Sequence, residues 1–445
     1  MKKFAAVMAV FMFLSFFSVL PAKAVSFTPD SEIYSEAAYL LNLDTGIVIY
    51  EKNPEKMQYP ASLTKIMTAI LALENIPDLD NTMITAPAYL FDELYQTGAS
   101  TADFRPYETA SAKDLMYGMI LQSACEAASI LADYVGQGSI PKFIEMMNTK
   151  AQELGATSTN FVNPHGLFDE NQYTTARDMA IITQYAMKLS KFNEIANTVS
   201  YTIGPSNKHT ESRTVTHTNL MLDQGRGGQY YYQYAKGIKT GTLDESGRCL
   251  VSTASKDGYN YLLVTLNAPQ KDENGANKFY NFLDAITLYN WAFKYFQYTN
   301  ILTTKEEIGQ VPVQFSAGND YVLVEAAEEY STLWPSTLDL SAVQRVVTLE
   351  DQVVAPVQKG AKLGTLELRL SGETLTTVDL IARESLERSE LDYNIYLAKQ
   401  FMSSTWFKVG VAAVAALILL YIVVHISVNR KKRRKVKNVR KKRQF

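Results

Sequence analysis

The sequence predicts an α+β domain in which an antiparallel sheet carries a helical subdomain, followed by a small all-β domain and one C-terminal transmembrane helix. Three observations predict it. Alternating apolar strands flank a helical middle between Ala37 and Asn267, so the two ends of that region can meet in a single sheet. Short strands separated by turn signals then run to Ala382. Finally, Val409–Val428 is an unbroken stretch of about twenty apolar or weakly polar residues, long enough to span a bilayer.

Residues 1–24, MKKFAAVMAVFMFLSFFSVLPAKA, join Lys2 and Lys3 to an apolar run and a small-residue A-x-A ending at Ala24. That is the pattern of a secretory signal cleaved after Ala24, with a retained N-terminal anchor as the alternative. Next, AAYLLNLDTGIVIYEKN sets two apolar runs around an Asp-Thr-Gly turn and reads as a β-hairpin. From Ser62 to about Ile195 helical spacing dominates. Leu63, Ile66, Met67, Ile70 and Leu73 mark one apolar face, and Ser111-x-x-Asp114 and Ser123-x-x-Glu126 have the form of capping boxes.

Between Tyr234 and Asn267 the segments AKGIKTG, GRCLVSTAS and NYLLVTLNA read as strands joined by TLDES and KDGY turns. The aromatic-rich KFYNFLDAITLYNWAFKYF is a helix expected to pack on that sheet. Beyond about Tyr298, VPVQF, DYVLVEA, QRVVTLE, GTLELRL and TLTTVDLIA make the small β domain, and RESLERSELDYNIYLAKQF reads as an amphipathic helix leading to the membrane. The expected divisions are a signal at 1–24, the α+β domain at 25–297 and the β domain at 298–384. A juxtamembrane helix at 385–408, the transmembrane helix at 409–428 and a basic tail at 429–445 follow.

Charge sets the orientation. Eleven Lys and Arg between Arg430 and Arg443 directly follow the apolar span, which by the positive-inside rule keeps the tail cytoplasmic and the body outside. Without those cations and Lys2, Lys3 and Lys23, acids outnumber bases in the body by 17, although the whole chain carries only −3. An acidic body is a poor nucleic-acid binder. Two cysteines, Cys125 and Cys249, exclude a disulfide-rich scaffold and leave one bridge or two free thiols open.

One residue is out of place. In PASLTKIMTA, Pro60 and Ser62 suit a helix entrance, but Lys65 sits in the first turn, where the helix dipole favours acids. Ser62 and Lys65 are three apart and share a face with Ala61, Thr68, Ala69 and Ala72, all small. Close packing around such a face desolvates the amine, which favours its neutral form and suits it to take the serine proton. An N-cap serine beside a solvated lysine is the plainer reading of that spacing alone. Four histidines, one of them His425 within the apolar span, offer no recognisable nucleophile-elbow setting, and metal-ligand spacings are absent. In GIKTGT, Lys239 stands on a strand near Gly241. A strand glycine often marks close backbone approach by a ligand, and the lysine could hold a carboxylate.

Ser62-Leu63-Thr64-Lys65, Ser123-Ala124-Cys125 and Lys239-Thr240-Gly241 match in order the S-x-x-K, S-x-N and K-T-G elements of penicillin-binding proteins and β-lactamases. With YPASLTKIMTA, MILQSACEAASILAD, NFVNPHGLFDENQYTTARDMA and GIKTGTLDESGRCLVSTAS, the chain resembles the serine D-alanyl-D-alanine carboxypeptidases, the low-molecular-weight penicillin-binding proteins of the peptidase S11 type. The likeness is strong over roughly residues 30–290 and weaker in the β domain. It implies the penicillin-binding-protein/β-lactamase-like transpeptidase fold. It also implies removal of the terminal D-Ala from peptidoglycan pentapeptide stems, and covalent inhibition by β-lactams.

By that resemblance Ser62 is the nucleophile that forms the acyl-enzyme, Lys65 its general base and Ser123 a proton relay toward the leaving D-alanine. Lys239 would bind the terminal carboxylate, with Thr240, Gly241, Thr242 and Cys125 also contacting substrate. Backbone amides near Ser62 and Thr242 would form the oxyanion hole. Cys125 stands where the family usually has Asn, and a thiol donates and accepts hydrogen bonds only weakly. His165 and Arg177 are expected to be structural. No cofactor, metal or nucleic acid is implied, and the implied location is a single-pass cell membrane protein with an extracytoplasmic catalytic domain. The rival readings are a β-lactamase of the same fold and a catalytically weak peptidoglycan-binding or sensing protein.

Overall fold

The computed structural model describes residue 29, residues 31–304 and residues 306–442, with the side chains of 434–442 excepted. The expected signal at 1–24 lies outside the described residues. The chain forms two compact units. The first runs to Tyr298 and takes back Leu333–Thr337, while the second holds Thr299–Thr332 and everything from Leu338 onward.

The first unit is built on one antiparallel sheet of five strands. These are β1 (Ala37–Asn42), β2 (Val48–Lys52), β3 (Ala235–Leu243), β4 (Gly247–Lys256) and β5 (Tyr259–Ala268), in the order β2-β1-β5-β4-β3. The ends of the unit meet as expected: β1 lies against β5 with Ala37 opposite Leu266 and Asn42 opposite Tyr261. Strand alternation sends successive side chains to opposite faces. Leu262, Val264 and Leu266 join Leu63, Ile66 and Ile70 in a core beneath the helices, whereas Leu250, Tyr261 and Leu263 join Phe282, Leu288 and Tyr289 on the other face.

The helical side comprises α1 (Lys65–Asn75), α2 (Ala112–Leu121), α3 (Cys125–Val135), α4 (Ile140–Leu154), α5 (Ala176–Ala186) and α6 (Ser190–Ala196). The aromatic-rich segment is α7 (Tyr280–Tyr295), packed on the opposite face of the sheet. Ser111 caps α2 through Asp114 as its box predicts. The second expected box does not form. Ala124 is the N-cap of α3, Ser123 adopts φ +64°, and Glu126 turns to a neighbouring loop. Two ribbons of three or four residues, 83–85 with 109–111 and 200–203 with 213–216, escape the sequence reading because such short runs show no periodicity.

The second unit holds a six-stranded sheet of β6 (Glu307–Gln314), β7 (Tyr321–Ala326), β8 (Val343–Leu349), β9 (Val353–Val354), β10 (Lys362–Leu370) and β11 (Glu373–Ala382). Their order is β8-β10-β11-β7-β6-β9. The amphipathic helix begins later than the expected residue 385. Leu386 exchanges two backbone hydrogen bonds with Val357 and so extends the β unit, and α8 (Glu390–Ser403) starts at the Ser389 cap. Ser404, with ψ 148°, breaks it from α9 (Thr405–Lys442). Within α9 the stretch Thr405–Arg433 is long and apolar enough to cross a membrane, and its apolar part is not buried.

The turn ahead of α1 is clamped from two sides. Ala61–Thr64 is a 3₁₀ turn whose Ala61 holds φ +47°. A β-carbon on Gly166 would lie 1.9 Å from the Ala61 carbonyl oxygen, and one on Gly241 would lie 3.1 Å from the Ser62 nitrogen. Gly166 also has φ +82°. Gly166→Ala should therefore lower unfolding free energy by more than about 3 kcal/mol, combining left-handed strain of about 1–2 kcal/mol with a backbone clash. Gly155→Ala is the control: φ is +88° but nothing lies within 4 Å, so only the strain of about 1–2 kcal/mol applies. Equal losses for the two variants in urea denaturation would show that the clamp does not exist.

Candidate active site

The expected residues converge at one place. Ser62 sits in the 3₁₀ turn and Lys65 opens α1, so the pair spans a change of helix type rather than one regular helix. Lys65 Nζ lies 3.1 Å from Ser62 Oγ. Lys65 is fully buried, as the small-residue face predicts, with Thr68, Ala69 and Ala72 also buried. Its amine donates to the His165 carbonyl and lies 3.4 Å from Cys125 Sγ. The cation that was wrong for the helix dipole is thus held by side-chain and carbonyl partners brought from α3 and the loop before α5.

Ser123 stands at the entrance of α3, and its hydroxyl is buried with no hydrogen-bond partner among the described residues. An orphaned buried hydroxyl is a destabilising feature that needs a reason, and here Ser123 lines the cleft. Opposite it, β3 presents the K-T-G strand. Lys239 is fully buried, and its Nζ donates to the Thr240 carbonyl at 3.0 Å. Burial, and then the nearby Lys65 charge, push its pKa well below the usual lysine range. The Thr240 and Thr218 hydroxyls share a hydrogen bond of 2.6 Å, and Thr242 is exposed at the rim.

A cleft of about 330 Å³ joins Ser62 and Ser123 on one wall to Thr240, Gly241 and Thr242 on the other. Sequence reading missed Ser100, Thr218, Arg226, Arg248 and Asn281 along the same cleft. Arg248 was within reach of it, because the TLDES turn sets Thr242 directly opposite Arg248 and Gly241 opposite Cys249. The others come from loops, a short helix at Gln224–Gly227 and α7, where no spacing points to β3.

Both cysteines are buried and free. The Cys125 thiol faces Lys65, while Cys249 lies against the Tyr59 and Ser246 carbonyls, where burial raises its pKa to about 11. His165 accepts from the Leu167 amide at Nδ1, so Nε2 carries the proton that meets Glu93 at 3.3 Å. Burial lowers its pKa, and its ring organises the loop whose carbonyl holds Lys65. Arg177 lies half-exposed, paired with Glu55 at 2.7 Å. Burial, helped by the Lys239 charge, brings the His217 pKa down to about 3 and keeps that ring neutral.

Comparison with known proteins agrees with this geometry. The sequence profile of D-alanyl-D-alanine carboxypeptidases, peptidase S11, matches residues 23–270, and that of the penicillin-binding protein 5 C-terminal domain matches residues 296–388. The D-alanyl-D-alanine carboxypeptidase DacF of Bacillus subtilis is 28% identical over 362 residues, covering 81% of this chain and 88% of its own. The D-alanyl-D-alanine carboxypeptidase of Streptomyces sp. strain K15 is 32% identical over 275 residues, 59% of this chain and 90% of its own. The crystal structure of penicillin binding protein 5 from Haemophilus influenzae superposes with a TM-score of 0.58 at 26% identity, covering 82% of this chain and all of that one. A serine and a buried lysine in hydrogen-bond contact, faced by a K-T-G strand in a chain matched along both units, place this protein in the D-alanyl-D-alanine carboxypeptidase family of penicillin-binding proteins.

Proposed function

We propose that this carboxypeptidase removes the terminal D-alanine from peptidoglycan pentapeptide stems through an acyl-enzyme on Ser62. The observation that carries the assignment is the 3.1 Å contact between Lys65 Nζ and the Oγ of Ser62, which lines the cleft. The Lys65 amine takes the serine proton as Oγ attacks the scissile carbonyl carbon. Backbone amides of Ser62 and Thr242 are suited to the developing oxyanion, since β3 passes close to the Ser62 nitrogen at Gly241. Collapse breaks the C–N bond, and the proton passes from Lys65 through the unpartnered Ser123 hydroxyl to the leaving amine. Water then hydrolyses the ester. A β-lactam would acylate the same oxygen.

Lys239 is proposed to hold the substrate's terminal carboxylate. Burial favours its neutral amine, and an arriving carboxylate offsets that penalty by pairing with the ammonium. The divisions expected from sequence are proposed as an exported catalytic unit, a β unit extended to the Ser389 cap, and α9 as the anchor with its basic end in the cytoplasm.

Fluorescent penicillin should label Ser62 covalently. Ser62→Ala should abolish labelling and Lys65→Ala should slow it by about 10²–10⁴-fold, the usual contribution of a general base. Undiminished labelling of Ser62→Ala would end the assignment. For Lys239, kcat/KM on a pentapeptide should fall as pH rises through a midpoint below the ordinary lysine range, because the cation is lost there. Lys239→Arg keeps its charge and should extend activity to higher pH. An alkaline limb unmoved by that substitution would remove the role. Protease added outside intact cells should release a soluble, penicillin-binding fragment and spare a C-terminal tag, whereas loss of the tag would contradict the topology.

A further inference from the structure

Glu126 is acidic, almost fully buried at 3% exposure, and unused by the mechanism above. It occupies the first turn of α3 beside Cys125. Its Oε1 accepts from Thr101 Oγ1 and the Ala102 amide, both at 2.7 Å, and from the Phe104 amide at 3.4 Å. Burial raises its pKa, and those three donors partly counter the rise. A buried carboxylate with three donors from one loop fixes that loop. The same loop is tied a second time, since the Cys125 amide donates to the Ser100 carbonyl at 2.8 Å. Both ties leave the Ser100 side chain exposed on the cleft wall with Ser62 and Ser123.

Cys125 holds the third position of the S-x-N-like triplet. It is buried at 2% exposure with its thiol toward Lys65, and a thiol is a weak hydrogen-bonding group. Ser100 is the strong donor and acceptor that the fold brings to the same end of α3. We propose that the Ser100 hydroxyl hydrogen-bonds an amide of the bound acyl donor, a contact that the weak, buried Cys125 thiol does not supply, with Glu126 as its positioning residue. The reading rests on the proposed Ser62 acylation and adds a specificity contact to it. Glu126 acts only through the 100–104 loop and touches no reacting atom.

Two penicillins separate the contact from general damage: benzylpenicillin, whose acylamino side chain carries an amide, and 6-aminopenicillanic acid, which lacks one. The full-length protein in detergent is acylated by each, and rates are compared for wild type, Ser100→Ala, Glu126→Ala, Glu126→Gln and Ser100→Ala/Glu126→Ala. Losing one neutral hydrogen bond should slow Ser100→Ala by about three- to tenfold with benzylpenicillin and leave 6-aminopenicillanic acid unchanged. Glu126→Ala should show the same selective loss, Glu126→Gln should restore it because a carbonyl oxygen remains at Oε1, and the double variant should lose no more than either single one. Equal slowing of both compounds, or a Ser100→Ala rate equal to wild type, overturns the proposal. If Glu126→Ala does not fold, the Ser100→Ala comparison decides alone. Failure of wild type to react with either compound would instead refute Ser62 acylation itself.

Discussion

A fully buried lysine at the first turn of a helix is the constraint around which the first unit is arranged. Taking an amine out of water is expensive unless hydrogen-bond partners replace the lost solvent. Lys65 finds them in Ser62 Oγ, the His165 carbonyl and the Cys125 thiol, which come from three separate segments. Each partner is fixed in turn. His165 is oriented by the Leu167 amide and Glu93, and the carbonyl before it accepts from Thr68 on α1 at 2.6 Å. The housing of one side chain therefore joins the 3₁₀ turn, α1, α3 and the loop before α5 into one rigid wall.

The opposite wall depends on closeness of backbone. Gly241 lets β3 run against the turn that carries Ser62, and Gly166 lets the His165 loop reach the Ala61 carbonyl. Side chains at either position would push apart the elements that form the cleft. The sheet adds a second requirement, because β3 is its edge strand and pairs within the sheet with β4 alone. Antiparallel pairing with β4 from Ala235 to Leu243 sets the rotation of Lys239 inward and Thr242 outward. Lys239 is thereby brought near Lys65, whose charge helps depress the Lys239 pKa.

Elements with strong local signals were legible without coordinates. The hairpin at LDTG, the three strands after Tyr234 and the helix on the far face of the sheet occur where the patterns place them. Failures are equally specific. Ser123-x-x-Glu126 has the form of a capping box, yet Ser123 takes a left-handed conformation and Glu126 serves a loop, because the Thr101 hydroxyl and the Ala102 and Phe104 amides compete for the same carboxylate. Leu386 reads as helical but pairs with Val357, since the free edge of a β unit offers backbone bonds that a helix end does not.

By itself the sequence determined the α+β order, the serine–lysine pair and the K-T-G strand, because each depends on spacing within a few residues or on turn chemistry. It also determined the apolar C-terminal helix, whose length and composition suffice. Only the tertiary structure decided what surrounds them. Ser100, Arg226 and Asn281 reach the cleft from segments far apart in the chain, and the His165 carbonyl meets Lys65 across 100 residues. Such contacts follow from how the loops and α7 pack on both faces of one sheet. Local periodicity carries no record of that packing.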